Sequence, residues 1–360
     1  MTILAGALIC TAGCLGGLLQ HAAVYPSLHR VEGAAPVPDA SFSFPFQDMT
    51  VSVSVPLDAA VLAGARAADK NARVYGDPSD EAWIPGYYRS FVEDDDLDSL
   101  YAGITARLAE VRGAASLDSD EYLELMAVYV QSIPYATDAD LINPKFPVET
   151  IADAEGDCDD KSLLLAGMLA REGYDVALLY FGPERHMAVG VRSPGHGYAA
   201  SGYAYVEVTN VSYIGIAPDR LDGGIALSSE PVVIPIGAGT LGYGSCDETG
   251  AIHEARAQAE AAIAECEAEV AAADATLSRS YAELEALAAE IEALRRTAKV
   301  AEYNALVPVY NAKAAAYNRD RIALQPEIES YNRQVEVYNY ILRHAHDRPG
   351  TVAWLAANGA

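Results

Sequence analysis

The hydrophobic pattern of this chain changes period several times, and each change marks an element. "MTVSVSV" (49–55) alternates apolar and polar, the period of a strand with one buried face. "SLYAGITARLAEVRG" (99–113) and "SDEYLELMAVYVQSI" (119–133) recur at three and four, which predicts amphipathic helices. The second is expected to open with Ser119 as its cap, because acids follow it in the first turn. "KSLLLAGMLAREG" (161–173) predicts a helix ended by Gly173, and "DVALLYF", "HMAVGVR" and "YAYVEVT" predict three strands after it. Helices followed by consecutive strands, with no repeated strand–helix–strand unit, predict an α+β domain with helices packed on an antiparallel sheet.

From about residue 250 the period becomes a heptad. Ile263, Cys266, Val270, Ala273, Leu277, Ser280, Leu284, Leu287, Ile291 and Leu294 recur at alternate spacings of three and four. A second heptad follows in a shifted register. Tyr303, Tyr310, Tyr317, Leu324, Tyr331 and Tyr338 fall seven apart, with Asn after each tyrosine and Arg321 breaking the companion seam. A tyrosine stripe suits a half-buried seam, because the ring packs while the hydroxyl stays wet. Pro308 and Pro326 imply a kink or a turn, so one long bent helix and a helical hairpin both fit a coiled-coil region. At the other end, residues 2–20 carry no charge and are about long enough to span a bilayer. They lack a positively charged start, and "TAGC" (11–14) resembles a lipoprotein cleavage site with Cys14 as the lipidated residue. The expected division is a signal peptide or membrane anchor at 1–24, a linker at 25–46, a globular domain at 47–249, a helical region at 250–345 and a tail at 346–360. An apolar N-terminus implies an extracytoplasmic, membrane-tethered or secreted protein; a cytoplasmic one is the alternative.

Composition narrows the partners. The net charge of -27 argues against nucleic acid, whose phosphates need Lys and Arg, and against an anionic membrane surface held through a basic patch. The five cysteines (Cys10, Cys14, Cys158, Cys246, Cys266) have no zinc spacing, and only a Cys246–Cys266 bridge stays open. "DAEGDCDD" lacks the order of a calcium loop, and "EDDDLD" (93–98) reads as a solvated loop, so neither a metal nor a cofactor is expected.

The chemistry concentrates in "GDCDDKS" (156–162), just before the apolar helix. Asp157 is placed to cap that helix, Asp160 to sit in its first turn, and Cys158 to be its first residue. A helix N-terminus favours a thiolate, while the neighbouring aspartates oppose it, so a base is needed. Of seven histidines, His186 alone opens a strand-like run in the globular region, and Glu207 lies in the next run. Cys158, His186 and Glu207 would then be nucleophile, base and orienting acid. The Cys158 amide and the Gln131 side chain are candidate oxyanion donors, with a helix-surface role the alternative for Gln131. Lys161 reads as an offset to the aspartates.

Residues 146–191, "FPVETIADAEGDCDDKSLLLAGMLAREGYDVALLYFGPERHMAVGV", with "YAYVEVT" after them, resemble the core of the transglutaminase-like superfamily, especially its archaeal and bacterial members. The resemblance extends from Ser119 to Thr209. It implies a papain-like α+β fold and acyl transfer through a Cys thioester, to water or to an amine. It places Cys158 as nucleophile, His186 as base and Glu207 as acid, with "EVT" standing where many members have Asp-Pro-Thr. The expected substrate is a peptide or protein, hydrolysis being favoured. The heptads imply a helix partner, and a non-catalytic scaffold is the alternative.

Overall fold

The structure is a computed structural model that describes residues 23–137, 143–221 and 224–359. The expectations for the apolar N-terminus, Cys10 and Cys14 lie outside these residues. The chain forms two compact units. One runs to Gly250 and takes in Ala345–Arg348; the other comprises Ala251–His344 and the residues from Pro349 on.

Among the described residues the first unit opens with the short strand β1 (Ala23–Val24) and the hairpin β2 (Ala40–Phe46) and β3 (Met49–Val55). Then come α1 (Ala59–Ala67), the two-residue β4 (Arg73–Val74), which pairs with β1, and α2 (Asp80–Val92). Four further helices follow: α3 (Asp98–Ala115), α4 (Ser119–Gln131), α5 (Pro147–Asp153) and α6 (Cys158–Arg171). Strands β5 (Val176–Phe181), β6 (His186–Arg192), β7 (Tyr203–Val206) and β8 (Val232–Ile236) make an antiparallel sheet in the order β7-β6-β5-β8. This is an α+β arrangement. Helix α6 lies against β5 and β6, and its Leu163, Leu164 and Leu165 are fully buried. Gly167 allows one close approach: a Cβ there would fall 2.2 Å from the Tyr101 hydroxyl of α3. Arg171, one turn on, covers the same ring at 3.9 Å.

Several sequence expectations are corrected. The stretch 25–46 is not a linker. Its "SFSFPF" alternates like a strand, and Phe44 and Phe46 enter the core from β2. Helix α4 is capped by Asp118, not Ser119. The Asp118 carboxylate accepts the Glu121 amide at 2.9 Å and Glu121 returns to the Asp118 amide at 2.9 Å. Helix α2, which the sequence reading does not anticipate, contains Pro85 and Gly86. Pro85 lies inside the helix, where its ring removes one i→i−4 hydrogen bond, and Gly86 gives way to the Tyr25 ring, which a Cβ would meet at 2.4 Å. The run "EDDDLD" holds a 3-10 turn at Asp95–Leu97, with Leu97 fully buried and Asp94 binding the Leu28 amide at 3.0 Å.

The second unit contains most of α7 (Cys246–Arg296), then α8 (Val300–Ala323), α9 (Gln325–Arg343) and most of α10 (Arg348–Asn358). The last of these occupies what sequence reads as a tail. The unit is a helical hairpin. Tyr281 meets Tyr317, Glu283 pairs with Lys313 and Glu267 accepts from Tyr331, so α7 and the α8–α9 arm run antiparallel. The reversal falls at Thr297–Lys299, where Ala298 has φ 55°. The α7 seam residues are buried or half-buried and nearly all their neighbours are exposed. Pro326 begins α9, while Pro308 lies within α8.

Candidate functional site

Asp157 caps α6, its carboxylate accepting the amides of Asp159 (3.0 Å) and Asp160 (3.2 Å). Asp160 returns to the Asp157 amide at 3.2 Å and also accepts the Lys145 amide at 2.6 Å. Gly156 is required beside this box, since a Cβ would sit 2.8 Å from that of Asp160. Two of the three aspartates therefore hold the helix start in place. The third, Asp159, faces the thiol. Cys158 Sγ donates to Asp159 Oδ1 at 3.6 Å, and the Tyr88 hydroxyl donates to Oδ2 at 3.3 Å.

The thiol is buried, at 9% exposure, and also accepts the Met187 amide. One turn along α6, Ser162 Oγ donates to Met187 O at 3.3 Å. The first turn of α6 is thus clamped to the start of β6. Burial, followed by the charges of Asp159 and Asp157, pushes the thiol well above its ordinary pKa; the Met187 N–H opposes this. Asp159 is itself raised to about 7, first by burial and then by Asp157 and Asp160. The resting sulfur is therefore a neutral S–H.

His186 opens β6 directly after Arg185, which has φ 52°. Its Nε2 lies 2.9 Å from the Tyr205 hydroxyl, and that hydroxyl donates to Glu207 Oε2 at 2.9 Å. A phenol has one proton to give. With it spent on Glu207, Nε2 must carry hydrogen and Nδ1 must be the bare acceptor. Burial lowers the imidazole pKa, against the charges of Glu207 and Glu184, so the ring is neutral at rest. Glu207 lies one residue past β7, not within a strand. Its Oε1 accepts the amides of Val208 and Thr209 (both 2.9 Å) and Thr209 Oγ1 (2.7 Å). The acid thus reaches the imidazole through Tyr205 rather than directly.

Gln131 occupies neither expected position. Its Nε2 donates to Glu207 O (2.8 Å) and Ser212 O (3.1 Å), and its Oε1 accepts the Ser212 amide (3.3 Å). Both amide hydrogens are committed, so Gln131 holds the Glu207 loop and has none left for an oxyanion. Lys161 is not a surface offset to the aspartates. It is fully buried, and its ammonium donates to Gln131 O (3.1 Å), Ile133 O (2.7 Å) and Thr209 O (3.4 Å). Gln131 O is an orphan carbonyl at the end of α4, and Ile133 O lies in the chain just past it. Burial lowers the Lys161 pKa to about 8, which Glu207 partly opposes. Sequence reasoning missed Tyr205, although it stands two residues before Glu207 and shares its face in an alternating run.

Among the described residues Cys158, Cys246 and Cys266 are free, which closes the question of a Cys246–Cys266 bridge. Among them, too, no group of three or more His, Cys, Asp or Glu is placed to hold a metal. The chain matches no protein-family model, no curated protein and no solved structure.

Asp159 gives the site a testable pH dependence. Above about pH 7 it is ionised and opposes thiolate formation. Asp159→Asn is expected to speed alkylation of Cys158 by iodoacetamide roughly tenfold at pH 8, equivalent to about one unit of thiol pKa. The gain should shrink below pH 7, where the carboxyl is already neutral. Peptide mass spectrometry of the alkylated protein measures it, and equal rates at pH 8 would contradict the role given to this carboxylate.

Proposed function

We propose that the first unit is a papain- and transglutaminase-like thiol enzyme that hydrolyses a peptide or amide bond through a Cys158 thioester. Cys158 Sγ attacks the carbonyl carbon while its proton passes to His186 Nδ1. The oxyanion is met by the Cys158 amide, which the capping box leaves without a partner among the described residues. The imidazolium then protonates the leaving amine as the carbon–nitrogen bond breaks. Water, deprotonated by the same ring, releases the acid and restores the thiol. Hydrolysis is preferred to transfer onto an amine because water is the acceptor always present. The observation that carries the reading is the row His186–Tyr205–Glu207, which frees Nδ1 beside the strand start that clamps the nucleophile helix.

Tethering at a membrane through residues 1–24, and an extracytoplasmic location, belong to this proposal; none of the helices in the described residues is long and apolar enough to cross a membrane. The helical hairpin is proposed as a coiled-coil spacer that recruits a partner helix, with Val309, Ile322 and Leu342 exposed along it. The burial of the thiol favours a second reading, a peptide-binding scaffold without turnover.

Acid quenching after exposure to activated peptide esters decides between them. An acyl adduct on Cys158, absent from Cys158→Ala, is expected by intact mass, and its decay with and without a fluorescent primary amine identifies the acceptor. No adduct would leave the scaffold. Tyr205→Phe removes the hydroxyl that fixes the ring, and should slow acylation about tenfold or more while the protein stays folded. An unchanged rate would separate Glu207 from the chemistry.

A further inference from the structure

Among the described residues strand β2 pairs only with β3, and an open groove lies beside it. The groove is lined by Asp39–Phe42, by Tyr129 of α4 and Ile133 just past it, and by Ile151, Ala152 and Ala154. Three features belong together. First, the two-residue turn Gln47–Asp48, with Gln47 at φ 50°, makes Phe46 and Met49 the pair that exchanges backbone hydrogen bonds. Phe44 and Phe42 then do the same with Val51 and Val53, so Ser41 and Ser43 turn their N–H and C=O groups away from β3. No backbone bond from a described residue reaches them. Second, Tyr129 is 3% exposed and lines the groove, yet its hydroxyl makes no hydrogen bond among the described residues. Third, Asp39 stands exposed at the rim of a chain with net charge -27.

We infer that this groove is a docking site for an extended peptide with basic side chains, which adds to the free edge of β2. Only another backbone in strand conformation matches the spacing of the outward Ser41 and Ser43 groups. Side chains on one face of the added strand enter the groove, where a polar one meets the Tyr129 hydroxyl. Alternate side chains face solvent, where Asp39 and the negative field of the chain favour Lys or Arg. Pro45, already on this edge, has no N–H and ends the docking run. The inference does not depend on the thioester chemistry.

The test uses the full chain with Cys158→Ala, so that no peptide is consumed. Immobilised protein is exposed to a pool of short peptides with Lys or Arg at alternate positions and apolar, Ser, Thr, Asn or Gln residues between them, and retained peptides are read by mass spectrometry. Hydrogen exchange with a retained peptide is expected to protect the Ser41 and Ser43 amides. Ser43→Pro, which removes an edge donor, should weaken binding about fivefold or more. Tyr129→Phe and Asp39→Asn, neither of which alters a backbone group of the edge, should each weaken it less. Three results would overturn the inference: no retention by the parent, retention unaffected by all three variants, or a dimer in sedimentation that Ser43→Pro dissociates, which would assign the edge to a second copy of the chain.

Discussion

His186→Ala is expected to lower the rate of Cys158 acylation by about 10²- to 10⁴-fold, the usual contribution of a positioned general base. The loss should be at the upper end here. Burial, Asp159 and Asp157 all hold the proton on sulfur, so the helix N-terminus alone cannot release it. Stopped-flow acylation with an activated peptide ester measures the effect. A rate within a few-fold of the parent would mean that another group takes the proton. Asp159, already in contact with the thiol, would be the first to examine.

The second large effect concerns stability. Lys161→Met keeps the side-chain volume but leaves the carbonyls of Gln131, Ile133 and Thr209 without their donor. Each buried acceptor left unpaired costs about 1–3 kcal/mol, so a loss of about 3 kcal/mol or more is expected, against a total of about 5–15 kcal/mol for a domain. For a unit of this size the melting temperature should fall by about 6–12 °C. Lys161 joins the end of α4, helix α6 and the loop after Glu207, so under the proposed thioester chemistry the variant should lose acylation of Cys158 before it melts. Calorimetry with an unchanged melting temperature would show that water or a shifted backbone satisfies the three carbonyls.

How much of this was legible in the sequence follows from how local each interaction is. The helix start in "GDCDDKS" could be read because capping is decided within four residues. Strands β5 and β6 could be read because a continuous apolar run has few other solutions. The helical arms were legible as heptads, whereas the choice of a hairpin over one bent helix depends on contacts such as Tyr281–Tyr317 between distant residues. Strand β2 is hidden in the sequence because the Pro- and Ala-containing stretch around it reads as loop. The roles of Lys161 and Gln131 are illegible in the sequence for a common reason. Each side chain reaches backbone carbonyls far away in sequence, and a carbonyl has no residue type to reveal it. Asp159 and Asp160 are neighbours in an acidic run, and only the capping geometry separates the one that holds the helix from the one that touches the sulfur.

The central claim is that His186 presents a bare Nδ1 because Tyr205 and Glu207 hold a proton on Nε2. Nitrogen-15 NMR of histidine-labelled protein reads this directly, with His186 assigned by its loss in His186→Ala. Above the imidazole pKa, the account requires a protonated Nε2 and an unprotonated Nδ1 in the parent, and a mixture of tautomers in Tyr205→Phe. A proton on Nδ1 in the parent would leave the thiol without its base, and the proposed chemistry with it.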